Sequence, residues 1–165
     1  MRRFAPAMAR QLPGLALALL LGGCLGNQLR PLPGLNQQLS RLGSSHEPAL
    51  AGPWLALIAG RQGREQVLLI NVARQAPEPL LGLNRPDAQP LSVAVDQQGE
   101  RLALVRQLEG RTELVLYRRS LRSLQPITMQ PAGVPRRVSL SADGRVLAVE
   151  VSRGGLWQVD LLELP

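Results

Sequence analysis

The chain has 165 residues, and 19 basic side chains against 12 acidic ones give a net charge of +7. Every basic residue is Arg; the absence of Lys excludes Schiff-base chemistry and phosphate binding by a P-loop. One Cys, one His and four aromatics (Phe4, Trp54, Tyr117, Trp157) argue against zinc clusters, disulfide frameworks and a His-based triad in the folded core.

In chain order, Met1 to Arg10 carries three Arg and no acid, Leu12 to Leu21 is an apolar run, and Gly22 and Gly23 precede Cys24. This is the order of a secretory signal. As a helix the ten-residue run would rise about 15 Å, half of a bilayer core, which is short for a membrane span. Leu21-Gly22-Gly23-Cys24 resembles the bacterial lipobox, which implies a lipidated Cys24 and cleavage before it. Two acyl chains, at about 0.8 kcal/mol per buried methylene, exceed what stable anchoring requires. An ordinary signal cut nearby, with an incidental thiol, is the alternative.

Residues 1–23 are therefore expected to be a signal peptide, and 24–37 a lipidated Cys followed by a tether rich in Leu, Pro, Gly, Asn and Gln. Loss of 1–23 removes three Arg and lowers the charge to about +4, a modest attraction for anionic surfaces. Leu25 stands where an Asp is associated with inner-membrane retention in enteric bacteria, which points to the outer membrane, on the periplasmic side of the envelope.

From Gln38 onward one order of segments occurs three times, at about 47–83, 91–128 and 137–164. Gly99 and Gly144 are 45 apart, as are Gly110 and Gly155, and Gly63 precedes Gly110 by 47. Short β-rich runs separated by turns at this period predict propeller blades, each a small antiparallel sheet that cannot bury both faces alone. Pro79 to Leu83 and Leu124 to Thr128 are expected to be outer strands, where Pro suits a sheet edge. Gln38 to Leu42 is a similar piece before the first copy, placed to pair with the last sheet and close the structure.

Ser141-Ala142-Asp143-Gly144 with Val146-Leu147-Ala148, Arg153-Gly154-Gly155 and Trp157-Gln158-Val159-Asp160-Leu161 resembles the TolB-like propeller repeat. Ala142 stands where that family has Pro, the second copy keeps Gly99 but has its Asp earlier, at Asp96, and the first copy is weaker. The resemblance implies an all-β fold, a partial TolB-like β-propeller of about three four-stranded blades over 38–165. Together with the lipobox-like segment it implies a lipid-anchored envelope module that binds another protein or a cell-wall component and is not itself an enzyme. An accessory propeller of an envelope hydrolase or peptidase is the alternative. Closed propellers have four to eight blades, so a second copy completing six blades, a partner covering the terminal faces, and a compact monomer all remain open.

Arg118, Arg119, Arg122, Arg136 and Arg137 form the densest basic region and are candidate contacts for an acidic partner through forked hydrogen bonds. Nucleic acid is disfavoured by the export signal and the scarcity of stacking aromatics. Trp54 and Trp157 are expected to fill space between sheets, a binding platform being the alternative. His46 is expected in an exposed interblade loop, Asp143-Gly144 in a hairpin turn, and Asp160 and Glu163 on a solvated face. Ser139, Ser141 and Ser152 lack a nucleophile elbow. No catalytic residue, metal or cofactor is assigned.

Overall fold

A computed structural model describes residues 29–165. Eleven strands follow a short helix, α1 (Pro33–Ser40). The first sheet runs β1 (Ser45–Ala51), β2 (Trp54–Arg61), β3 (Arg64–Asn71) and β4 (Ala76–Glu78). The second runs β5 (Ala88–Val95), β6 (Arg101–Leu108), β7 (Arg111–Arg118) and β8 (Ser123–Ile127). The third has three strands among the described residues, β9 (Val134–Leu140), β10 (Val146–Arg153) and β11 (Leu156–Glu163), with β10 in the middle. All neighbours pair antiparallel. The strands β1, β5 and β9, each at one edge of its sheet, lie side by side along a groove of about 220 Å³.

One turn recurs between the second and third strands of every sheet. Gln62-Gly63, Glu109-Gly110 and Gly154-Gly155 all have positive φ at both residues, the two-residue hairpin whose twist matches that of the strands it joins. These turns fix the registers Arg61↔Arg64, Leu108↔Arg111 and Arg153↔Leu156. Because side chains alternate across a strand, each register also fixes which side chains enter which face.

The blades stack in layers. Ala56, Ile58, Val67 and Leu69 of the first sheet pack on Leu102, Leu104, Val115 and Tyr117 of the second. The opposite face of the second sheet, Ala103, Val105, Leu114 and Leu116, packs on Leu147, Val149 and Val151 of the third. Trp54, 7% exposed, lies in the first of these layers, and the Tyr117 hydroxyl donates to the Leu81 carbonyl at 2.8 Å.

The segment before the first repeat departs from expectation. Residues 33–40 are helical, and Leu35, with Leu39 and Leu42 beside it, covers the outer face of the first sheet at Leu57, Ala59 and Ile70. It pairs with no strand of the last sheet. Pro33 suits a first helical turn, where no amide donor is needed, and the apolar residues at 35, 39 and 42 follow a helical spacing. Eight residues form a marginal helix alone, so contact with the sheet supplies its stability. The first outer strand also differs: it is Ala76–Glu78, three residues around Pro77, while 81–83 form a turn that places Leu83 in the core. Asn84 instead hydrogen-bonds both backbone groups of Val67, accepting from its N–H at 2.8 Å and donating to its carbonyl at 2.9 Å. The outer strand of the second sheet, β8, matches expectation and contains Pro126.

Gly99 has φ +66, and a Cβ there would meet the Trp54 ring at 2.5 Å, whereas Gly110, φ +75, has nothing within 4 Å. Gly99→Ala is expected to destabilise by about 2–4 kcal/mol, adding overpacking to backbone strain. Gly110→Ala should lose only about 1 kcal/mol, from the backbone alone. Urea unfolding of both variants checks the difference.

Candidate functional site

The third sheet carries the exposed apolar surface. From the Gly154-Gly155 turn, Val151↔Gln158, Val149↔Asp160 and Leu147↔Leu162 share the face directed at the second sheet. Ser152↔Trp157, Glu150↔Val159 and Ala148↔Leu161 share the other face. Val159 and Leu161 stand 45 residues after Leu114 and Leu116, the same places in the repeat. Leu114 and Leu116 are 2% and 1% exposed beneath the third sheet, while Val159 and Leu161 are 69% and 72% exposed. The repeat thus writes an interblade surface at a place where the described residues supply no next blade.

Trp157 lies on this face, 54% exposed, with the Arg136 guanidinium 5.0 Å from its ring centroid. The expectation that it fills space between sheets is corrected: Trp54 does so and Trp157 does not. The physical difference is the layer each ring faces. Trp54 has the second sheet over it and Arg119 at 4.8 Å.

The five Arg candidates do not converge. Arg136 and Arg137 line a cleft of about 420 Å³ with Glu47, Thr112 and Trp157. Arg119 and Arg122 line a separate one of about 160 Å³ with Glu78 and Tyr117. Thr112 is the second residue of β7 and Arg118 its last, about 20 Å further along an extended strand, so the chain carries the two groups to opposite ends of the blades. Several are already engaged: Arg119 pairs with Glu78 at 3.7 Å and Arg137 with Glu47 at 3.7 Å, and Arg118 donates to the Pro165 carbonyl at 3.2 Å. Cys24 lies outside the described residues.

His46 is corrected from loop to strand: it stands in β1 with its side chain exposed, its Nε2 hydrogen-bonded to Glu65 Oε1 at 3.0 Å. Glu65 also accepts from Gln89 and borders a polar cleft of about 520 Å³ between the β2–β3 and β6–β7 turns. The forked Arg85–Asp87 pair lines the same cleft. Part of the charge lining that cleft is thus already spent within the protein.

Asp143 sits in its turn as expected, accepting from the Ser141 hydroxyl and the Arg145 N–H. In the second sheet Asp96, 45 residues before Ser141, takes the role of that serine: its carboxylate accepts from the Glu100 N–H at 2.8 Å where Ser141 Oγ accepts from Arg145. Spacing alone contained this equivalence. Asp160 is not left to solvent, since Arg153 forks onto it while also donating to Gln158 at 3.0 Å and to the Pro131 carbonyl at 2.9 Å. Among the described residues no group of three or more His, Cys, Asp or Glu is placed to hold a metal ion.

Hydrogen bonds hold several carboxylates below their usual range: Asp160 through Arg153, Asp143 through Ser141, Asp87 through Arg85 and Glu65 through His46. A depressed folded pKa gives stability that is present above the unfolded value, about 3.9 for Asp, and lost as pH falls through the folded one. The urea midpoint is therefore expected to fall as pH is lowered through and below the ordinary carboxylate range. Asp160→Asn should be less stable at neutral pH and show a shallower acid dependence, measured by unfolding across a pH series.

No protein-family model matches the chain, and no curated protein matches it. Among solved structures, TolB from Acinetobacter baumannii is similar over 71% of this chain and 29% of its own, with 16% identity and a TM-score of 0.55. The mitotic checkpoint complex crystal structure aligns over 73% of this chain and 37% of the matched chain at 17% identity, with a TM-score of 0.46. The likeness to TolB, with the sheets described above, shows the fold: an all-β, TolB-like propeller segment. The chain spans under a third of the TolB structure it matches.

Proposed function

We propose that this chain is a protein-binding propeller segment, tethered through lipidated Cys24 to the periplasmic side of a bacterial envelope, in the outer membrane, without catalysis of its own. The observation that carries the binding role is the exposed face of the third sheet, where Val159 and Leu161, beside the exposed Trp157, occupy positions that the preceding repeat uses for blade-to-blade packing. Contiguous apolar surface of this kind marks protein contact sites. The anchor rests on the lipobox-like Leu21-Gly22-Gly23-Cys24 after a basic start and an apolar run. Against catalysis stand a chain without Lys and a single His whose ring is engaged by Glu65. The two basic clusters, separated and largely paired, rank below the apolar face as contact surfaces.

Cys24→Ala is expected to move the protein from the membrane pellet to the soluble fraction, and mass spectrometry of the wild-type amino-terminal peptide should show a diacylglyceryl group on Cys24. A photoreactive residue at Leu161 should form a discrete protein adduct in intact cells, while one at Leu81, exposed outside this face, should not. Absence of an adduct at Leu161 removes the binding role; an unmodified thiol in the membrane fraction removes the anchor.

A further inference from the structure

Among the described residues β11 lies at the outer edge of the third sheet with no strand beyond it, unlike β3 and β7. Such an edge offers a row of backbone donors and acceptors, which proteins commonly blunt with short strands, Pro or Lys. The other two outer edges are blunted in this way. β4 is three residues long with Pro77 at its centre, and β8 is five residues long with Pro126. β11 runs eight residues with neither Pro nor Lys, beside an apolar face.

The sequence of β11 is self-complementary. Around Val159 it reads Leu156-Trp157-Gln158-Val159-Asp160-Leu161-Leu162, the same order of polarity in both directions. Two copies of the strand pairing antiparallel about a two-fold axis through Val159 set Trp157 opposite Leu161, Val159 opposite Val159 and Leu156 opposite Leu162. Gln158 then stands opposite Asp160. Opposed residues in an antiparallel pair share a face, so this register joins the two apolar faces into one. It also places an amide beside each carboxylate. Shifting the axis to residue 160 sets Asp160 against Asp160, and shifting it to 158 sets Leu156 against Asp160.

We propose that the partner of this edge is a second copy of the chain, and that β11 pairs with β11 across a two-fold axis at Val159 to make one continuous six-stranded sheet. The inference rests on the binding role proposed above and names its partner. The contact is isologous and closed, so it stops at two copies. It differs from two copies closing a six-bladed ring, because a ring needs the outer face of the first sheet, and α1 covers that face. Arg153 supports the pairing from within one copy: it holds Gln158 through Oε1 and Asp160 through both oxygens, orienting the two polar groups that the register sets against their counterparts.

The test is charge reversal at the axis, on the full chain in density-matched detergent by sedimentation velocity. The wild type is expected to be a dimer at micromolar concentration. Val159→Glu and Val159→Lys each place like charges opposite one another and should weaken self-association by about tenfold or more. An equal mixture of the two variants should recover the dimer, since only a two-fold register sets position 159 against itself. Val159 is largely exposed, so both variants should keep wild-type circular dichroism and melting. A monomeric wild type, a Val159→Glu dimer of undiminished strength, or a mixture that stays monomeric each overturns the pairing. If the wild type is monomeric while the Leu161 adduct contains a different protein, the binding role stands and self-pairing fails. No adduct at all removes both.

Discussion

A small antiparallel sheet with apolar residues on both faces needs cover on both sides, and the architecture of this protein follows from how each face is met. The second sheet is satisfied twice, by the first sheet through Val115 and Tyr117 and by the third through Leu114 and Leu116. These four residues are consecutive on β7, a continuous apolar run rather than an alternating one, as a strand buried on both faces requires. The terminal sheets each have one neighbour among the described strands. The first gains α1 on its outer face; the third has nothing equivalent among the described residues.

That asymmetry separates covered from exposed surface among the described residues more sharply than charge does. The basic residues that stand out in the sequence are mostly spent inside the protein, as Arg119 is on Trp54 and Glu78, Arg118 on a backbone carbonyl and Arg153 on Asp160 and the Pro131 loop. An Arg held in a fork or over a ring contributes orientation to its own fold. On β11, by contrast, Trp157, Val159 and Leu161 are exposed among the described residues.

Much of the fold was legible because hairpins are local. The 45-residue spacing of Gly99 to Gly144 and Gly110 to Gly155 marks turns whose positive φ requires the residue type found there, and the alternating or continuous apolar runs between them are the strands. What escaped was set by distant partners. Leu35, Leu39 and Leu42 have a helical spacing, but it runs for barely two turns among Pro, Gly, Asn and Gln, and residues 33–40 become a helix where Leu35 finds Leu57 and Ile70. Pro79 to Leu83 looked like an edge strand, but Pro77 takes that place and Leu83 turns inward to the layer between sheets. His46 lay among loop-forming neighbours and is a strand residue because β2 pairs with it at Ile58.

The sequence by itself determined the repeat, most of the strands, the hairpin registers and therefore which side chains share a face, since each depends on residues a few positions apart. Trp54 and Trp157 show what it left undecided: both stand in apolar strands, and one is core while the other is surface. Only the tertiary structure distinguishes them, because burial depends on whether another sheet lies above the ring. The same holds for the Arg residues, whose closeness in sequence is undone by the length of a strand that carries them to opposite ends of the blade.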